Sequence, residues 1–96
     1  LVLRHSDYNV ICNNEFSHTS NVGLRCWTAS YNLFEDNDFS WGIRKAANEV
    51  HARDSSCVLM ESASNYNCFR RNDMRYGGDG LFIRSLNNCM SMYNTF

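Results

Sequence analysis

The chain has 96 residues, 44% of them hydrophobic, with nine Lys/Arg against ten Asp/Glu and a formal net charge of −1. That size and balance point to one small domain with a core, and exclude a strong field toward nucleic acid or an anionic membrane. No apolar run reaches the roughly 20 residues of a membrane span, and the first residues lack the basic-then-apolar order of a signal peptide.

The predicted elements repeat. The first copy reads Tyr8-Asn9-Val10-Ile11-Cys12-Asn13-Asn14-Glu15-Phe16, followed by the short apolar segment Gly23-Leu24-Arg25-Cys26-Trp27. The second copy, Tyr31-Asn32-Leu33-Phe34-Glu35-Asp36-Asn37-Asp38-Phe39, precedes a non-repeating stretch over residues 40–56. Cys57-Val58-Leu59-Met60-Glu61 then matches the apolar segment, and Tyr66-Asn67-Cys68-Phe69-Arg70-Arg71-Asn72-Asp73-Met74 is the third copy. Gly80-Leu81-Phe82-Ile83-Arg84 and Asn88-Cys89-Met90-Ser91-Met92-Tyr93-Asn94-Thr95-Phe96 close the series, the last copy being the weakest. The second asparagine falls at 14, 37, 72 and 94, in steps of 23, 35 and 22. Two steps fit a coil of 22 to 23 residues, and the third carries an insertion.

Short strands with period-2 alternation, separated by turns rich in Asn, Ser and Gly, suggest a parallel β-solenoid of about four coils. Stacking then makes columns the unit of argument. Ile11, Phe34 and Phe69, with Ser91 as a weak member, form one interior column. Phe16, Phe39, Met74 and Phe96 form a second, Leu24, Val58 and Leu81 a third, and Cys26, Met60 and Ile83 a fourth. Asn14, Asn37, Asn72 and Asn94 are expected to stack as an inward amide ladder, which satisfies polar groups that are costly to bury. Thirteen asparagines and no proline agree with this.

The pattern I/F-x-x-N-x-F followed by G-I/L-x-I/L resembles the right-handed parallel β-helix repeat. That repeat occurs in pectate-lyase-like folds and in the carbohydrate-binding and sugar-hydrolase β-helix proteins. The resemblance covers residues 6–96. It implies an all-β, right-handed parallel β-helix, a polysaccharide as substrate class, and an extracellular or periplasmic location. The chain starts without Met, stops inside a repeat and shows no charged helical cap. Residues 1–96 are therefore expected to be a single β-helix segment, interrupted around 40–56, that continues into further coils or associates end to end.

Candidate chemistry collects in two places. Trp27, Glu61 and Arg84 share one outward column, and Arg25, Leu59 and Phe82 share its neighbour. An indole beside a carboxylate and guanidinium groups suits a sugar ring carrying a uronate. The insertion adds Trp41, His51, Arg53 and Asp54, and Asp79 lies in the turn before Leu81. β-Elimination or epimerisation of a uronate polymer needs a cation, a base and an acid. Arg84 or Arg25 is the candidate cation and His51 the candidate base, with Glu61 or Asp54 orienting either. Trp27, Arg25, Trp41, Arg53 and Asp79 are the candidate substrate contacts. Without catalysis, Trp27, Trp41 and Tyr76 could serve adhesion to glycans, as in a surface or tail-fibre protein.

The acidic column Glu15, Asp38, Asp73 is the second place, where repulsion is expected to raise at least one carboxyl pKa. Carboxylates there could hydrolyse a glycosidic bond or hold calcium. Arg70, Arg71 and Arg75 are close enough in sequence to neutralise them. No other cofactor is implied: there is no CxxC, no zinc spacing, and no G-x-S-x-G, H-E-x-x-H or P-loop. The five cysteines are an odd number and read as small hydrophobes.

Overall fold

The alternation of short apolar runs with polar turns produces short strands, all paired in parallel. The computed structural model describes residues 1–42, 56–85 and 89–96. Among these the chain is all-β, with strands β1 (Val2–Arg4), β2 (Val10–Cys12), β3 (Leu24–Trp27), β4 (Leu33–Glu35), β5 (Ser56–Glu61), β6 (Cys68–Arg70) and β7 (Asp79–Arg84). One sheet has the order β1-β3-β5-β7 and the other β2-β4-β6. Successive strands alternate between the sheets, so each copy of the repeat supplies both. No described helix is long and apolar enough to cross a membrane.

The register places the expected columns together. Leu24 pairs with Val58 and Val58 with Leu81, and Cys26–Met60–Ile83 run beside them, although Ile83, on the edge strand, is exposed and not interior. Ile11, Phe34 and Phe69 share one line in the second sheet, where the Phe34 and Phe69 rings stack at 4.5 Å. Phe16 and Phe39 stack at 5.5 Å, and Phe39 meets Phe34 edge-on. Leu24, Phe34, Phe39, Val58 and Met60 are fully buried. Each such side chain contributes roughly 1.5–3 kcal/mol of hydrophobic stabilisation. Cys26 and Cys57 are buried as well, and burial pushes the Cys26 thiol up to about 12.

The last copy sits in a different register from the expected one. Thr95 bridges Cys68, Phe96 stacks on Phe69 at 4.8 Å, and Tyr93 stacks on Tyr66 at 4.9 Å. Phe96 thus extends the Phe34–Phe69 column, not the Phe16–Phe39 column. Ser91 is in neither; its hydroxyl oxygen accepts from the Ser64 N–H at 3.0 Å. The ambiguity is in the sequence, because each copy contains Asn-x-apolar twice, as in Asn32-Leu33-Phe34 and Asn37-Asp38-Phe39. Asn94-Thr95-Phe96 fits either, and the preceding Tyr93 identifies the first.

Among the described residues there are consequently two amide ladders. Asn14, Asn37 and Asn72 stack as expected, with Nδ2-to-Oδ1 bonds of 3.2 and 3.1 Å. Asn94 instead closes a column with Asn9, Asn32 and Asn67, bonded at 2.9, 3.0 and 3.1 Å. In both columns each Oδ1 after the first also accepts a backbone N–H from the preceding copy, as Asn67 does from Asn32 at 3.0 Å. The ladders line corners where the chain takes left-handed φ. Tyr8, Tyr31, Tyr66 and Tyr93 precede one ladder at φ 56 to 59°, and Asn13, Asp36 and Arg71 precede the other at 52 to 55°. Such values cost roughly 1–2 kcal/mol for a side chain with a Cβ. Bonds between copies, such as Tyr31 N–H to the Asn65 carbonyl at 3.0 Å, hold them in place.

Gly42 is required by close approach. A Cβ there would lie 2.5 Å from the Ser56 carbonyl oxygen and 3.0 Å from its carbon. Gly42→Ala is expected to destabilise the fold by about 1–3 kcal/mol, the usual cost of overpacking. Urea denaturation measures it, and an unchanged midpoint would refute the contact.

Candidate functional site

The outer face of the first sheet brings together four of the expected site residues. Trp27 pairs with Glu61 and Glu61 with Arg84, while Arg25 pairs with Leu59 in the adjacent line. Arg4 joins them, because β1 adds it next to Trp27. Its 23-residue offset from Trp27 equals the first repeat step, which is the signal for it in the sequence.

Glu61 organises this face, and it is buried, not surface-exposed as its outward position implied. Its exposure is 0%, and that of neighbouring Leu59 is 3%. β5 is a central strand, buried along its whole length, with β3 and β7 on either side. Arg25 donates from Nε to Glu61 Oε1 at 2.7 Å, and its Nη2 meets the same oxygen. Arg84 donates from Nε to Oε2 at 2.5 Å. Both carboxylate oxygens are thereby engaged, and both guanidinium groups are fixed in direction by one acceptor. The Arg4 and Arg25 guanidinium carbons lie 4.7 and 5.0 Å from the Trp27 ring centroid, in cation–π range. Among the described residues, three arginines against one carboxylate give this cluster a net charge of +2.

Two further expected contacts, Asp79 and Trp41, are not at this end of the sheet. Asp79 is exposed and pairs with Ser56, while Arg84 pairs with Glu61. Five residues of strand put Asp79 roughly 16 Å from Arg84. Trp41 precedes Gly42, which packs on Ser56 at that same distant end. There Trp41 stacks between His18 at 5.6 Å and Tyr76 at 4.8 Å. This joins two of the three candidate adhesion aromatics and separates them from Trp27. His51, Arg53 and Asp54 lie outside the described residues.

The acidic column exists as a line of backbone bridges, Glu15 to Asp38 to Asp73, beside a shallow depression. Its electrostatics differ from the expectation at Asp73. Arg75 grips that carboxylate with Nε at 2.9 Å and Nη2 at 2.7 Å, which holds its pKa below the usual carboxylate range. Asp38 accepts from the Ser40 N–H at 2.9 Å, and Glu15 from the Ser17 hydroxyl at 3.0 Å. Arg71 bridges Glu35 and Asp36 one corner earlier, and it holds the Asp36 carboxyl low as well. Arg70 and Arg71 therefore serve the neighbouring acids, and among the described residues Arg75 serves this column. Among the described residues no group of three or more His, Cys, Asp or Glu could hold a metal ion.

In the sequence the tyrosines stand out only as markers of the repeat. In the fold they form a continuous exposed stack, Tyr8–Tyr31–Tyr66–Tyr93. Their identical place in each copy is the signal that foretells it. No protein-family model, no curated protein and no solved structure matches this chain.

Proposed function

We propose that the chain forms part of a right-handed parallel β-helix and binds an acidic polysaccharide, of the uronate class, across the outer face of its first sheet. The parallel pairing, the alternation of strands between sheets and the two amide ladders support a coiled path. Parallel crossover connections are right-handed in nearly all cases, which supports the hand. Each end of such a stack offers strand edges for further coils or for a second copy. A polysaccharide ligand fits an extracellular or periplasmic protein.

One observation carries the binding reading: buried Glu61 aims the Arg25 and Arg84 guanidinium groups, with Trp27 and Arg4 alongside. Planar guanidinium groups fixed in direction suit a carboxylate, and an indole beside them suits the apolar hydrogens of a sugar ring. Binding is favoured over lyase or epimerase chemistry because Glu61, the acid nearest the arginines among the described residues, has both oxygens engaged and acts as a positioning residue. β-1,4-Linked oligoglucuronates are expected to bind more tightly than neutral cello-oligosaccharides of equal length, with an advantage that shrinks as salt rises. Trp27→Ala should weaken oligoglucuronate binding about tenfold in calorimetry, the scale of one lost aromatic anchor. Equal affinity for the acidic and neutral series would rule out the uronate assignment. Release of unsaturated uronate during the titration would move the reading to catalysis.

A further inference from the structure

The tyrosine stack is a second surface feature, apart from the arginine face. Tyr8, Tyr31, Tyr66 and Tyr93 have ring centroids 4.9, 5.0 and 4.9 Å apart and planes within 12° of one another. They are 76%, 47%, 48% and 67% exposed, so core burial does not account for them. The corner they occupy is closed from inside by the Asn9–Asn32–Asn67–Asn94 ladder, which needs no phenol. Among the described residues, none of the four hydroxyls meets a hydrogen-bond partner.

Rings stacked face to face hide their faces and expose their edges, where the ring quadrupole is positive. At each edge sits a hydroxyl that can both donate and accept. The surface is thus a straight row of identical oxygen-seeking positions, repeating at the strand spacing along the stacking direction. Such a row selects a ligand that is oxygen-rich and itself periodic. A linear, equatorially linked sugar chain has both properties, and its rise per sugar is close to one strand spacing. A lipid surface would call for basic side chains, whereas Asp7, next to Tyr8, is acidic and its carboxylate accepts from the Ser30 N–H at 2.7 Å.

We propose that the tyrosine column is a register track for an extended polysaccharide lying along the stack, with one sugar unit opposite each hydroxyl. This rests on the polysaccharide-binding reading and deepens it. The arginine face reads charge, whereas the tyrosine column reads chain length.

Calorimetric titration with cello-oligosaccharides and β-1,4-linked oligoglucuronates of increasing length tests the track. Wild-type affinity is expected to rise with length in both series and then level off. The double variant Tyr31→Phe/Tyr66→Phe keeps the stack and removes two hydroxyls. It should bind the longest oligomers more weakly by about fivefold per hydroxyl, the scale of one net hydrogen bond, with a smaller loss for disaccharides, which can shift toward Tyr8 or Tyr93, and an unchanged melting temperature. Affinity independent of length, or a double variant that binds long oligomers like wild type, overturns the track. If Trp27→Ala still weakens oligoglucuronate binding, the arginine-face reading then stands without it. A wild-type protein that binds neither series overturns both.

Discussion

Replacing Asn67 by alanine is expected to destabilise the protein by about 4 kcal/mol, because two buried backbone groups lose their partners at about 1–3 kcal/mol each. Asn67 Oδ1 accepts the Asn32 N–H at 3.0 Å, and its Nδ2 donates to the Ala29 carbonyl at 2.9 Å. The same amide links Asn32 and Asn94 in the ladder. Asn67 is buried, so water cannot replace these bonds. Asn14→Ala is the control. It sits at the exposed end of the other column and should cost about 1 kcal/mol or less, one ordinary hydrogen bond. Equilibrium urea unfolding of both variants decides the matter. Equal effects at the two positions would mean that burial does not set the cost of losing a ladder amide.

Glu61→Ala is expected to cost about 3–5 kcal/mol, the range for removing one partner of a buried ion pair. Arg25 and Arg84 would be left half-buried, facing each other without the carboxylate between them. The triple variant Arg25→Met/Glu61→Leu/Arg84→Met should behave differently. Exchanging a whole buried ionic cluster for apolar residues of similar volume is often neutral or stabilising. It is therefore expected to melt near wild type while losing its preference for oligoglucuronate. That combination would assign the cluster to ligand recognition. A triple variant as unstable as Glu61→Ala, with its preference for oligoglucuronate intact, would assign it to folding.

Much of the architecture is legible in the sequence because columns in parallel strands repeat at a fixed offset. Leu24, Val58 and Leu81 align on their offsets alone, as do Trp27, Glu61 and Arg84. The alignment fails where the repeat is internally ambiguous. Offsets place Asn94 with Asn72 because Asn-x-Phe occurs at two corners of a copy, and the contacts of Tyr93 with Tyr66, Thr95 with Cys68 and Phe96 with Phe69 separate them. The strand β1 escapes the pattern because it is three residues long and precedes the first Tyr-Asn copy, and Arg4 escapes with it.

The residue pattern by itself determined the β-strand class, most of the inward columns and the presence of an amide ladder. These follow from alternation and spacing, which are properties of the chain's order. The tertiary structure decided which outward residues are accessible and which charges meet. Glu61 occupies an outward position, yet lies buried between two arginines that are 36 and 23 residues away along the chain. Asp73 is held by Arg75 and not raised by its acidic neighbours. Alternation says which side of a strand a group leaves from. What then covers it, and which long side chain reaches it, depends on distances set only when separate copies stack.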